Sequence, residues 1–409
     1  MEITCPKCHA VTKADVTLEV MEFGCPNCHS LISYIKNEKG SAIESYTYNS
    51  PDIALTIGQK GVFDGKEYVV TAFIVKRVHK IYYWREYILT AADGDQLFLS
   101  ETDGHWIKLK EVPEKYNTEH HPKYLTHNDI SMSLYEYEDT EIAQAAGFFN
   151  YRLPNGRQRM QEYINPPYIL SIEVQGKDTT CFFGEHISRS EIKKIFGLST
   201  MPYRSGVGIV QPFGVNLSNM GIIFSGIAIL ILVSHLFIYS GRRTEEVINE
   251  MIDVNLTSVD KDVVSKSFTL TGGTAPMDVS VQADVNNSWV SVQLALVNEG
   301  TGEEVYASKD VEYYSGYEGG EHWSEGSTDD NFSICGVPGG TYHFVITPTK
   351  EVNESTIAVH VAAKWNPPLL WNVFLPIILM FAVLIITYFI SVSFEKKRWA
   401  DSSNSPYEE

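Results

Sequence analysis

Two hydrophobic patterns divide this chain. Over most of its length, apolar residues fall at every second position in short runs, the period of a half-buried strand. Two stretches are apolar without a period: residues 221–239 and about 370–392, neither holding Asp, Glu, Lys or Arg. A bilayer core needs roughly 20 apolar helical residues to cross it, and both stretches are long enough. Trp365, Trp371 and Trp399 flank the second, and Lys396-Lys397-Arg398 closes it, the arrangement of interfacial aromatics and a basic stop. The pattern predicts transmembrane helices over 219–240 and 370–393. Pro376 falls in the first turns of the second, where a missing amide is tolerated. His235 lies one turn from the end of the first, within snorkelling reach of the interface.

The alternating segments fall into two regions. Residues 50–200 carry strands such as EYVVTAFIV (67–75) and IYYWREYIL (81–89), punctuated by Gly58, Gly61, Asp64-Gly65, Asp93-Gly94 and Asp103-Gly104, which are turn signals. A second set follows, and a short helix over SRSEIKKIF closes the region, with Ser188 or Ser190 as its cap. A pair of related antiparallel units, barrel-like or sandwich-like, is expected. Between the apolar stretches, residues 260–363 repeat strand signals every eight to twelve residues, as an antiparallel β-sandwich would. A short helical lead is expected over 243–257. The fold class is a mainly β, multidomain membrane protein.

The N-terminus changes the chemistry. CPKCH is followed, sixteen residues after Cys8, by CPNCH. Cys5, Cys8, Cys25 and Cys28 thus form two C-x2-C knuckles, and two knuckles on adjacent hairpins set four thiolates at the corners of a tetrahedron. A zinc ribbon over 1–35 with one structural zinc is expected, iron being the competing metal. Four thiolates leave no open position for a reacting water. His9 and His29 follow the second Cys of each pair and read as neighbours, not ligands. Val16, Leu18 and Val20 alternate as a short strand between the knuckles.

Composition sharpens the topology. With 32 Lys plus Arg against 51 Asp plus Glu, the formal charge is -19, which excludes a general nucleic-acid binder. Residues before the first apolar stretch carry 22 basic and 27 acidic groups (net -5), and those between the stretches carry 7 and 20 (net -13). Lys396-Lys397-Arg398 favours a cytoplasmic tail over 394–409, whereas Arg242-Arg243 votes the other way. A metal-type cysteine cluster suits the reducing cytoplasm. The expectation is an integral protein of a prokaryotic inner membrane, N- and C-termini cytoplasmic, residues 240–369 extracytoplasmic. Cys335, alone on that side, is expected to be a buried free thiol.

Candidate surfaces are fewer. In the cluster Tyr82 to Tyr87, alternation sends Tyr83, Arg85 and Tyr87 to one face and Tyr82, Trp84 and Glu86 to the other. Trp84, Arg85 and Glu86 are a candidate ligand or partner surface, with ordinary cross-strand pairing as the competing account. Residues 312–330 read as an aromatic, acidic loop; its Tyr317, Trp323 and Glu325 would suit a cation, a glycan or a partner protein. His120, His121 and His127 are a weaker metal candidate, and Cys181 reads as a buried small residue.

IGQKGVFDGKEYVVTAF, YYWREYIL, GDQLFLSETDGHW, INPPYILSIE and FFGEHISRSEIKKIF together resemble the domain-of-unknown-function family 4178, in the form that joins a zinc ribbon and membrane segments. That resemblance implies no reaction and no catalytic residues, and it leans towards an accessory of an envelope stress or transport system. The expected function is non-enzymatic: a membrane-anchored binding or scaffold protein whose partners are the bilayer and another protein or a second copy. One alternative is a membrane-tethered enzyme with a site around Arg85, Glu86, Glu173 and Glu185. The other is an accessory transporter or channel subunit, which would need partners because two uncharged spans cannot line a polar path.

Overall fold

The computed structural model describes residues 1–409 except 35–39, 51, 177, 241–242, 354 and 408–409; Arg242 and the last two tail residues therefore lie outside it. The described chain forms two compact units, Met1–Leu217 with Ile385–Glu409, and Ser218–Leu384.

In the first unit, β1 (Glu2–Thr4) pairs with β2 (Val11–Lys13), and β3 (Glu22–Gly24) with β4 (Ser30–Ser33), which also pairs with β5 (Ser41–Ser45). There follow β6 (Lys60–Phe63), β7 (Lys66–Val78), β8 (Tyr82–Ala91), β9 (Gln96–Thr102), β10 (His105–Val112), β11 (Tyr124–His127), β12 (Ile130–Phe149), β13 (Gln158–Asn165), β14 (Tyr168–Gln175) and β15 (Asp178–Ile187). The ladder runs β12-β13-β14-β15-β10-β9-β8-β7, and β7 pairs back onto β12. Eight antiparallel strands thereby close into one barrel. The two strand sets expected as related units are consecutive arcs of this single wall.

Closure depends on β12. Its first half pairs with β13 and its second with β7, with register shifts at Leu134/Glu136 and Ile142/Gln144, the bulges that let one strand bend around a small barrel. At its far end Gly147 has φ +104°, and a Cβ there would meet the Thr71 carbonyl oxygen at 2.2 Å. Gly147 also faces Gly24, so β3 extends the barrel wall and the N-terminal hairpins pack on it through Phe23, Phe148 and Val69. Val16, Leu18 and Val20 pack in this cluster without forming a strand.

Helix α1 (Arg189–Phe196) starts at Ser188, whose side chain accepts from the Glu191 amide, and ends at Gly197 in the left-handed region. It lays Ile192 and Phe196 over Leu55, Phe63 and Trp106 on the outside of the barrel. The C-terminal residues close the unit. Arg398, fully buried, donates to the carbonyls of Gly208 (2.8 Å), Ile209 (2.9 Å) and Gln211, and pairs with Glu395 (2.9 Å). Trp399 packs with Val210, Ile107, Leu109 and Ile169.

The second unit begins with α2 (Leu217–Ser240), none of whose side chains is buried. Next come β16 (Glu245–Val254), β17 (Val263–Val264), β18 (Phe268–Leu270), β19 (Ala275–Ala283), β20 (Ser288–Asn298), β21 (Glu304–Glu318), β22 (Glu321–Ser327), β23 (Asp329–Val337), β24 (Gly340–Lys350) and β25 (Ile357–Trp365). A four-stranded sheet, β16-β25-β19-β23, faces a six-stranded one, β17-β24-β20-β21-β22 with β18 beside β24. Alternate residues of β19, β24 and β25 fill one core with Val290, Val292 and Leu294, so this is a β-sandwich. The helical lead expected over 243–257 is instead β16, paired with β25 from Glu245 to Val254. Cys335 on β23 is exposed, not buried. Helix α3 (Trp371–Arg398) completes the chain, and both α2 and α3 are long and apolar enough to cross a membrane.

Candidate metal centre and barrel lumen

Each knuckle is built the same way. The Cys5 amide donates to Ala10 and the His9 amide to the Cys5 carbonyl; the Cys25 amide donates to Ser30 and the His29 amide to the Cys25 carbonyl. His9 and His29 take left-handed backbone (φ 59° and 54°) that turns each knuckle back on itself. The four Sγ atoms lie within 4.8 Å of one another, with Cys5–Cys28 at 3.7 Å and Cys8–Cys25 at 3.6 Å. A tetrahedron with metal–sulfur bonds of about 2.3 Å has edges of about 3.8 Å, so the donor set fits a single metal ion. Burial pushes the Cys25 thiol up to about 12, whereas the Asn27 amide on Cys8 pulls that thiol down to about 6. Among the described residues no other group of three or more His, Cys, Asp or Glu converges in this way. His127 bonds Tyr116 (2.5 Å) and His121 stacks on Tyr137 (4.0 Å), so these histidines form no second metal site.

Alternation along β8 splits the candidate trio. Arg85 points out of the barrel, where it bonds Ser50 (3.2 Å) and pairs with Asp52 (3.3 Å) and the buried Glu101 (3.5 Å). Trp84 and Glu86 point inwards, into a lumen cavity of about 420 Å³ to which all eight strands contribute. There Lys76 holds two carboxylates, Glu173 at 2.6 Å and Glu86 at 2.9 Å. The Trp84 indole donates to Glu86 (2.8 Å) and Gln158 to Glu173 (2.9 Å). Burial works against the Lys76 ammonium, yet Glu173 and Glu86 keep its pKa above the usual lysine value. Burial also raises the Glu86 carboxyl, more than Lys76 lowers it. Glu185 lies elsewhere, on the surface, paired with Lys108 at 2.8 Å. Of the four groups considered for a catalytic site, only Glu86 and Glu173 meet. The sequence gives no local sign of Lys76 or Gln158 as their partners, since these lie on other strands.

The aromatic, acidic segment is a hairpin, β21–β22, and not an irregular loop. Gly319 and Gly320, with φ 60° and 91°, supply the two-residue turn. Its pleat separates the candidate residues: Trp323 and Glu325 oppose Gly316 and Tyr314 on one face, while Tyr317 opposes His322 on the other. Tyr317 is 80% exposed. The three therefore do not form one pocket.

The molecule is thus a β-barrel with a four-cysteine cluster at its N-terminus, a β-sandwich, and two apolar helices. Within it, residues 56–189 match the family described as domain of unknown function (DUF4178). No curated protein matches the chain. Among solved structures, a carbohydrate-binding module of the β-sandwich superfamily aligns at 12% identity and TM-score 0.14, over 69% of this chain and 92% of its own. PNGF-II aligns at 8% and 0.18, over 73% and 68%. A glycoside hydrolase family 43 arabinoxylan arabinofuranohydrolase from Bacillus subtilis aligns at 8% and 0.18, over 82% and 74%. TM-scores this low carry no inference about fold or function.

Proposed function

We propose that this chain is a two-span membrane protein that binds or scaffolds rather than catalyses. In this reading the barrel unit and tail are cytoplasmic in a prokaryotic inner membrane, and the sandwich is extracytoplasmic. The observation that carries it is the Arg398 socket. The segment just before α2 and the residues ending α3 are held together by one buried guanidinium, as expected when two spans return the chain to its starting side. Lys396 and Lys397 beside that socket favour the cytoplasm. The cysteine cluster would hold one structural zinc that staples the N-terminal hairpins to the barrel. Binding rather than catalysis is supported by the internal pairing of Arg85, Glu86, Glu173 and Glu185. The partner would be a second copy or another envelope protein, with a role beside a stress or transport system.

Cys335 provides the test. A membrane-impermeant maleimide should modify it in intact cells, and Cys335→Ser should abolish that signal. Modification only after permeabilisation would invert the topology. In-membrane crosslinking through the sandwich and the barrel separately should then capture a defined protein or a second copy; a purely monomeric, uncrosslinked chain would defeat the scaffold reading.

A further inference from the structure

The lumen is short of positive charge. Lys76 is shared between Glu86 and Glu173, whose remaining oxygens accept from Trp84 and Gln158. Arg152 and Glu111 also reach the lining, both as exposed residues. This leaves Glu162 on β13. Its side chain lines the same cavity, and no hydrogen bond or ion pair among the described residues reaches its carboxyl. Burial, reinforced by the charge of Glu86, raises that carboxyl to about 7. A carboxyl held out of bulk water without a partner is costly and is relieved by a cation. The rest of the lining suits the body of such a cation: Trp84, Phe98, Tyr151 and Phe182 present aromatic surface, and Ile107 and Ile169 form an apolar floor closed by Trp399. Aromatic faces attract ammonium groups, and about 420 Å³ lies within the range of small-molecule sites.

We propose that the barrel lumen binds a small organic cation, an ammonium group on an apolar or aromatic body, with Glu162 as its carboxylate. Lys76 fixes Glu86 and Glu173, and Glu111 is exposed, which leaves Glu162 as the unpaired carboxylate inside the lumen. The proposal deepens the binding reading above but shares no observation with the topology or with a protein partner.

The experiment titrates the full chain, in neutral-lipid nanodiscs, with benzylamine, benzyl alcohol and benzoate, followed by calorimetry and tryptophan fluorescence. Benzylamine should bind saturably at one per chain, at least tenfold tighter than benzyl alcohol, and benzoate should not bind. Glu162→Gln should cost benzylamine at least tenfold and leave benzyl alcohol unchanged. Ser171→Phe, which adds bulk to the lumen beside Glu162 on the neighbouring strand, should abolish benzylamine binding. Three probes binding alike, or no saturable benzylamine binding to the unmodified chain, would overturn the assignment whether or not either variant folds. Retained protein crosslinks in that case would leave the scaffold reading standing.

Discussion

With a side chain only 4% exposed, Lys76 satisfies two carboxylates from other strands, so its removal does more than delete one ion pair. Lys76→Met should leave Glu86 and Glu173 facing each other in the lumen. Stranding a buried charge in this way costs about 3–5 kcal/mol, and chemical denaturation of the purified chain would measure it. Adding Glu173→Gln should recover part of the loss; no recovery would mean that Lys76 acts by packing alone. Glu162 makes a separate claim about pH. Its carboxyl titrates at about 7 in the folded chain against an ordinary 4.5, so between those values the folded state binds the extra proton. Stability should therefore fall as pH rises from 4.5 towards 7. Thermal unfolding of Glu162→Gln should show a shallower decline across that window; parallel curves would mean that the carboxyl is not desolvated. The lumen groups were not legible in the sequence as a set. Lys76 and Glu173 stand 97 positions apart, and only barrel closure makes them neighbours. What alternation over 82–87 did reveal is that Arg85 and Glu86 point to opposite faces, which is why they do not form one site.

Elements were legible where their pattern had a single solution. The two C-x2-C knuckles fix four sulfurs by short loops alone, and the unbroken apolar runs can only be helices. β16 shows the opposite case: Val247, Ile248, Met251 and Ile252 have helical spacing, but a register shift at Glu246/Ile248 lets the strand pair with β25 and bury Ile248, Ile252 and Val254. Long-range pairing overrides local spacing there. Barrel closure was equally hidden, because it rests on β12 serving two neighbours in succession. Gly147 is the element-scale test of that seam. At φ +104°, with the Thr71 carbonyl 2.2 Å from where a Cβ would sit, Gly147→Ala should destabilise the barrel by about 2–3 kcal/mol. The Gly65→Ala control, also at positive φ but with open space around it, should cost less. Equal losses would mean that backbone strain, and not the close approach of β7, dominates at Gly147. At the N-terminal hairpins, Cys25→Ser should lower bound zinc from about one per chain to near zero and open the β1–β2 and β3–β4 hairpins to protease. Absence of zinc from the unmodified chain after metal-replete expression would remove the metal assignment altogether.

At the scale of the whole molecule, charge and topology meet at the C-terminal end of α3. The formal charge of -19 is unevenly spread: -13 lies between the apolar helices and only -5 before them. Lys396-Lys397-Arg398, read from sequence as one basic stop, divides in the structure. Arg398 is withdrawn into the barrel unit, where three carbonyls and Glu395 occupy its guanidinium. A planar guanidinium can serve several acceptors at once in a way that a lysine ammonium does not. Arg398→Lys should therefore loosen the socket even though the charge is kept. In inverted membrane vesicles, where a cytoplasmic tail faces the medium, carboxypeptidase should trim residues after 398 faster in Arg398→Lys than in the parent chain. The release should be larger still in Arg398→Ala, because the carbonyls of Gly208, Ile209 and Gln211 then lose a shared donor. Trimming in right-side-out vesicles instead would place the tail outside. Equal trimming of all three proteins in inverted vesicles would mean that Trp399 and its contacts with Tyr135 and Val210 hold the tail without the guanidinium.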